Sequence, residues 1–379
     1  MVDVPSDVRD LHWGVHQRDG YEVNQGRRKV NSFSRRRFLS LASAAAALPI
    51  ASCRLGSSTP ERVRIHGPSM NPTLWGDHRI IECPHCKIAT RVDEVFVDRC
   101  LASPGDDRVI CWHCGGHWGS EPIRMGQRGT PHVVSVRPDS PRMLSVGDLI
   151  LIRRQDQLEV KRLMGRPGQT LLRLSDGRLS NADEPWPMNG TIMVDSDANR
   201  DRSRWTSDVP NGWNRDQIRH WNACAKSPDS IVQMTYQHRS VDPGNRPSMI
   251  TDSIPGNLGL SRRLSSVDDL RILLTIATHT RPTQNMDRVL EVDHRHLNSP
   301  CEGALGMTID PSIVSSISNI RIVRPIHYVG ARSGSNAKFP LRLREDQWFV
   351  MGDNPPVSID SRHWGPISTN QVVGRVIPM

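Results

Sequence analysis

Aromatic side chains are scarce in this chain. Its 379 residues include 3 Tyr and 5 Phe, and Trp is the best represented at 10. Apolar residues make up 36% and mean hydropathy is −0.48, which is enough for one sizeable core with much polar loop around it. No apolar run reaches the about 20 residues of a spanning helix; the longest is about 15. Eight cysteines are too few for a disulfide scaffold in a chain of this length. Internal repeats are absent, and basic residues are not interleaved with aromatics in a stripe, which argues against a nucleic-acid partner. Turn formers are abundant instead. Twenty-eight Pro and 28 Gly point to strands and turns rather than helices. The formal charge of +9 suits an anionic membrane surface or nucleic acid, but much of it lies in an N-terminal tail that includes Arg27, Arg28, Lys29, Arg35, Arg36 and Arg37.

Three stretches carry the chemistry. In the first, Arg64 to Leu74, Ser69 sits between a Gly67-Pro68 turn and an Asn71-Pro72 turn. Pro68 fixes its own φ and Pro72 biases Asn71 away from helix, so Ser69 is held on a stiff bend that suits an exposed nucleophile. Taken alone, such a serine is a plain turn residue. The second stretch is Glu159-Val160-Lys161-Arg162-Leu163-Met164-Gly165-Arg166-Pro167-Gly168, and the third runs from Phe349 through Gly352-Asp353-Asn354 to Ser358-Ile359-Asp360-Ser361-Arg362-His363-Trp364-Gly365. In this order the three resemble the signature boxes of type I signal peptidases: S-M-x-P-T-L, K-R-x-x-G-x-P-G and G-D-N-x-x-x-S-x-D-S-R. With the flanking strands, the resemblance covers roughly 100 residues.

The resemblance implies a Ser–Lys dyad, with Ser69 as nucleophile and Lys161 as its base, acting on exported preproteins that carry small residues near the cut. Met70 would pack beneath the substrate backbone. Ser358 would orient Lys161, and Asp360 and Arg362 would form a supporting ion pair. The Ser69 N–H would serve the oxyanion; a hydroxyl donor found in some members falls at Gly67, which has none. A lysine acts as a base only when neutral, which asks for about 3–4 kcal/mol of bias away from its ordinary state. Burial supplies such bias by desolvating the ammonium, and Val160 and Leu163 flank Lys161. Arg162 points to the other face of the strand.

In chain order, residues 1–33 read as a disordered basic tail. Residues 34–53 have the basic, apolar and small parts of an export signal. The Arg pair resembles a twin-arginine signal, and Cys53 closes a lipoprotein-like box, so a retained anchor, a cleaved signal and a lipidated Cys53 all stay open. Each version puts the later residues on the outer side of a bacterial-type inner membrane, in contact with lipid. The catalytic domain is expected from 61–81, 143–184 and 341–379, as mainly β coiled antiparallel sheets with hairpin grammar at 143–174. Residues 82–118 carry Cys83-x₂-Cys86 and Cys111-x₂-Cys114, the spacing of a zinc ribbon. Structural zinc is the first reading, two disulfides the second, and no cofactor is expected in the reaction. Cys100 reads as a small buried residue, and His85 and His113 as exposed loop histidines. Residues 185–340 read as a β-rich insert, opened by four tryptophans. The competing function is a binding protein built on a peptidase scaffold.

Overall fold

Seven strands form the sheet that carries the site: β1 (Glu61–Arg64), β2 (Val133–Arg137), β3 (Leu149–Arg154), β4 (Gln157–Gly165), β5 (Gln347–Met351), β6 (Ile367–Ser368) and β7 (Val372–Pro378). Their order in space is β1-β2-β7-β3-β4-β5-β6, antiparallel throughout. The computed structural model describes residues 61–379 apart from 103–108, 185, 187–189, 198–202, 209–211, 225–231, 240–245, 258–263, 268, 279–287, 293–294, 297–303, 310–313 and 331–336. The tail and the export-like segment, Cys53 included, lie outside the described residues.

The β3–β4 hairpin follows from its sequence. Gln155 and Asp156 both take positive φ, 48° and 63°, in a two-residue turn whose twist suits antiparallel strands. Side chains then alternate between two cores. Leu149 and Leu151 pack with Ile65, Met70, Leu74 and Val160, while Ile150 and Ile152 pack with Leu163, Trp348 and Val350. The hairpin expectation stops at Gly165. Thr170–Arg173 does not pair with β4; it joins Leu179–Asn181 and Leu341–Arg342 in a separate three-stranded sheet.

Around the cysteine pairs, His78–Glu82 pairs with Ala89–Asp93 and Gln127–Gly129. A helix that turn-rich composition did not suggest, α1 (Glu94–Ala102), lies between the two pairs in sequence. Its Phe96 and Val97 are buried against Ile81, Val92 and Ile123. Cys100 is on this helix, half-buried at the edge of the same cluster.

The insert is built from two antiparallel sheets. Val314–Pro325 is the spine of one, paired with Arg271–Thr278, Trp221–Ala223 and Thr191–Ser196. Val232–Gln237 and Ala304–Ile309 form the centre of the other. Val232, Met234 and Tyr236 alternate inward and meet Ile272, Leu274, Ile317, Ile320 and the buried Trp205, Trp213 and Trp221 in one core, so the two sheets pack as a sandwich. Past its last strand the chain returns to the scaffold, where Ile326 and Tyr328 pack with Met164, Leu171, Phe349 and Met351.

Candidate active site

The turn that carries Ser69 is built on Gly67, at φ +71°. Ser69 is half-buried. Its carbonyl accepts from the Asn354 N–H at 3.0 Å, and Pro68 O accepts from Asn354 Nδ2 at 3.0 Å. Thr73 donates to Asp353. Among the described residues no group accepts a hydrogen bond from the Ser69 N–H, so this donor is available to an incoming oxyanion. Met70 is buried, at 2% exposure, in the core with Ile65, Leu74 and Leu151.

Lys161 is 3% exposed on β4. Its Nζ lies 3.5 Å from Ser358 Oγ and 3.4 Å from Glu159 Oε2. Burial holds its pKa below that of an ordinary lysine, against the opposing pull of the Glu159 and Asp360 carboxylates and with some help from the Arg362 guanidinium. The neighbouring Arg162 points elsewhere, as strand alternation requires. It pairs with Asp353 and donates to Gly147 O at 2.7 Å.

Asp353 is the hub. Fully buried, it receives Thr73 from the Ser69 turn, Arg162 from β4 and Tyr328 Oη, at 2.7 Å, from the segment leaving the insert. A buried charge needs such satisfaction to be tolerated. Asp360 and Arg362 form a second buried pair, with Nε–Oδ1 at 2.7 Å and Nη2–Oδ2 at 2.8 Å. Burial alone would raise the Asp360 carboxyl; Arg362 and the Gly352 N–H outweigh it and hold it below the usual range. Asp360 also caps α2 (Ser361–Trp364) by accepting from Arg362 N.

Gly352 joins the two halves of the site. A Cβ built on it would overlap both the Ser69 carbonyl oxygen and the Ser358 hydroxyl, so only a residue without a side chain lets Ser69 and the Lys161 partner Ser358 approach the same strand end. Gly352→Ala is therefore expected to push the turn and Ser358 apart. A displacement of this kind costs about 10²-fold in rate, read as peptidase kcat/KM, with a lowered Tm alongside it.

The four pattern cysteines converge. Their sulfurs all lie within 4.8 Å of one another, with Cys83–Cys114 at 3.7 Å and Cys86–Cys111 at 3.8 Å. Tetrahedral zinc with Zn–S bonds of about 2.3 Å has sulfur–sulfur edges of about 3.8 Å, so the donor set fits a metal ion and all four cysteines are free thiols. Crowding sets their acidities apart. Donation from Cys86 pulls Cys111 down to about 4, and burial pushes Cys114 up to about 11. Four thiolates cannot coexist there without a cation.

His113 corrects the sequence reading. His85 is exposed as expected, near His117 O at 3.0 Å. His113 is fully buried, with Nε2 2.6 Å from Ser196 O and 3.2 Å from Asp195 Oδ1. The knuckle points this ring into the insert, where Asp195 also receives Arg204 Nη1 at 2.9 Å and Tyr236 Oη at 2.6 Å. A loop histidine in isolation is solvated; here the docking of the insert on the knuckle removes it from water.

Sequence reasoning passed over three contributors. Glu159 precedes Lys161 by two residues on a strand, a spacing that puts both on one face and was the available signal. Nothing local to Asp353 in the sequence marks it as a hub. Asn257 of the insert exchanges hydrogen bonds with Asn354 at 2.8 and 2.9 Å, which no local pattern could suggest.

Residues 323–379 match the family model described as signal peptidase, peptidase S26. The match contains Gly352, Asp353, Ser358, Asp360 and Arg362, while Ser69 and Lys161 lie before it. No curated protein matches the chain.

Proposed function

We propose, from the match of residues 323–379 to the signal peptidase, peptidase S26 family model, that this protein is a membrane-associated serine endopeptidase that removes signal peptides from exported preproteins through a Ser69–Lys161 dyad. The observation that carries this reading is the meeting of the Ser69 carbonyl and the Lys161 partner Ser358 across Gly352, inside the matched segment's own box.

The desolvated Lys161 amine removes the proton from Ser69 Oγ as that oxygen attacks the peptide carbonyl. The oxyanion is stabilised by the Ser69 N–H. Gly67 offers no hydroxyl, so this donor acts without the side-chain partner of some relatives. The Lys161 ammonium then gives its proton to the leaving amine, and water, activated by the same amine, releases the acyl group from Ser69. The substrate lies extended along the site edge as an added strand, with small residues at and two before the cut. The segment 34–53 would direct the chain to the inner membrane, as a retained anchor, a cleaved signal or a lipidated Cys53, with the peptidase on the exported side. Zinc would be held by Cys83, Cys86, Cys111 and Cys114 as a closed structural site; when bound it supplies cross-linking of the two knuckles and no open position for reaction.

Purified full-length chain in detergent, given a preprotein with a small-x-small site, is expected to cut it at that site. Ser69→Ala is expected to be silent although folded. Equal cutting by the Ser69→Ala variant would remove Ser69 from the mechanism. Silence of a well-folded wild type would favour the partner-binding scaffold instead.

A further inference from the structure

The base of the dyad has a carboxylate at its side. Glu159 and Lys161 share one face of β4, and Glu159 Oε2 lies 3.4 Å from Lys161 Nζ. The other carboxylate oxygen, Oε1, accepts from Arg154 Nε at 3.2 Å. Arg154 is held in turn over the Trp364 ring, 5.1 Å from its centroid. The carboxylate thus has one oxygen anchored through β3 and α2 and one turned to the amine.

The other groups facing Lys161 do not substitute for it. Asp360 has both oxygens engaged by Arg362, and one of them also accepts from the Gly352 N–H. Arg362 and His363 from the same segment contribute cationic charge or none. Ser358 Oγ, at 3.5 Å, is at the limit of a hydrogen bond. Arg154 acts from behind Glu159. Glu159 is therefore the carboxylate with an oxygen directed at the reacting amine.

We propose that Glu159 is a positioning residue that extends the dyad to a Ser69–Lys161–Glu159 relay, orienting the Lys161 amine and stabilising the ammonium formed when Lys161 takes the Ser69 proton. The inference rests on the Ser–Lys reading above. The proton balance is simple. It leaves Ser69 Oγ, resides on Lys161 Nζ while Glu159 stays ionised, and passes to the leaving amine. The carboxylate plays the part that the acid plays beside histidine in a Ser-His-Asp triad. It also has a cost, because a neighbouring negative charge makes the resting lysine harder to deprotonate.

These two effects give Glu159→Gln a signature that a merely structural residue does not have. With the charge removed, the acid limb of the kcat/KM profile is expected to move to lower pH by about one pH unit. At the plateau, kcat is expected to fall by about 10-fold to 10²-fold, because the ammonium is less stabilised as it forms. Glu159→Asp keeps the charge and is expected to hold the acid limb within a few tenths of the wild-type position while recovering most of kcat. The profiles are measured on the preprotein with full-length protein in detergent, and thermal unfolding verifies that each variant is folded. Wild-type cleavage with an acid limb unmoved in Glu159→Gln would overturn the relay and leave the dyad standing. Wild-type inactivity, or full activity of Ser69→Ala, would overturn both together.

Discussion

Lys161→Met is expected to lower preprotein cleavage by about 10⁴-fold or more while leaving the protein as stable as before or more so. The two halves of that result come from the same burial. Lys161 is 3% exposed, and desolvation is the main reason its amine holds its proton less tightly than an ordinary lysine. Methionine keeps most of the side-chain volume without the charge. Removing one partner of a buried ion pair is destabilising when it strands the other charge, but Glu159 keeps Arg154 at 3.2 Å and Asp360 keeps Arg362 at 2.7 Å, so the desolvation cost of Lys161 is removed without leaving a carboxylate unpaired. The pH dependence has a definite sign. A lysine whose proton affinity is lower in the folded state than in the unfolded chain makes the unfolded chain the better proton binder, so wild-type stability rises with pH between the two values. The variant lacks that slope, and its advantage over wild type is largest on the acid side. The rate falls because Ser69 loses its base; in a serine peptidase, loss of such a member costs about 10⁴- to 10⁶-fold in kcat. Tm and kcat measured on the same sample check both halves. A strongly destabilised but residually active Lys161→Met would mean that the lysine is a structural strut and that the base lies elsewhere.

Removal of metal, or Cys111→Ser, is expected to give the largest loss of stability in the molecule. A four-thiolate zinc site contributes about 10 kcal/mol or more of binding free energy that exists only in the folded form. Here the consequence spreads. The ribbon core packs against Val357, the residue before Ser358. His113, from the second knuckle, is buried against Ser196 and Asp195 of the insert. Loss of the ion frees both knuckles and withdraws support from the segment carrying Ser358 and from the insert. One zinc per chain is expected by elemental analysis. Strong chelation should expose four thiols to titration and lower Tm by about 10 °C or more. Preprotein cleavage should fall with the folded fraction rather than at once on chelator addition, because a closed four-thiolate site leaves no open position for a substrate. Immediate loss of cleavage at unchanged Tm would give the metal a role in the chemistry instead.

The local pieces are legible in the order of residues alone. Paired Gly-Pro and Asn-Pro turns marked the Ser69 bend, apolar runs marked the β3–β4 hairpin, and two C-x₂-C knuckles marked the ribbon. Each is encoded over a few residues by turn chemistry, strand alternation or ligand spacing, and so can be read without knowing where the rest of the chain goes. The mainly β architecture followed from the same cues. The set of partners is fixed only once the chain has folded. Asp353 meets Thr73 from 280 positions away and Arg162 from 191. Ser358 reaches Lys161 across 197. Burial turned an ordinary loop histidine, His113, into an anchor for the insert, and two-residue spacing on β4 became a carboxylate beside the base only once Arg154 and Trp364 pinned Glu159. Such contacts depend on which strands become neighbours and which faces lose water. Those outcomes are set by the packing of the whole chain, and no short stretch of it carries them.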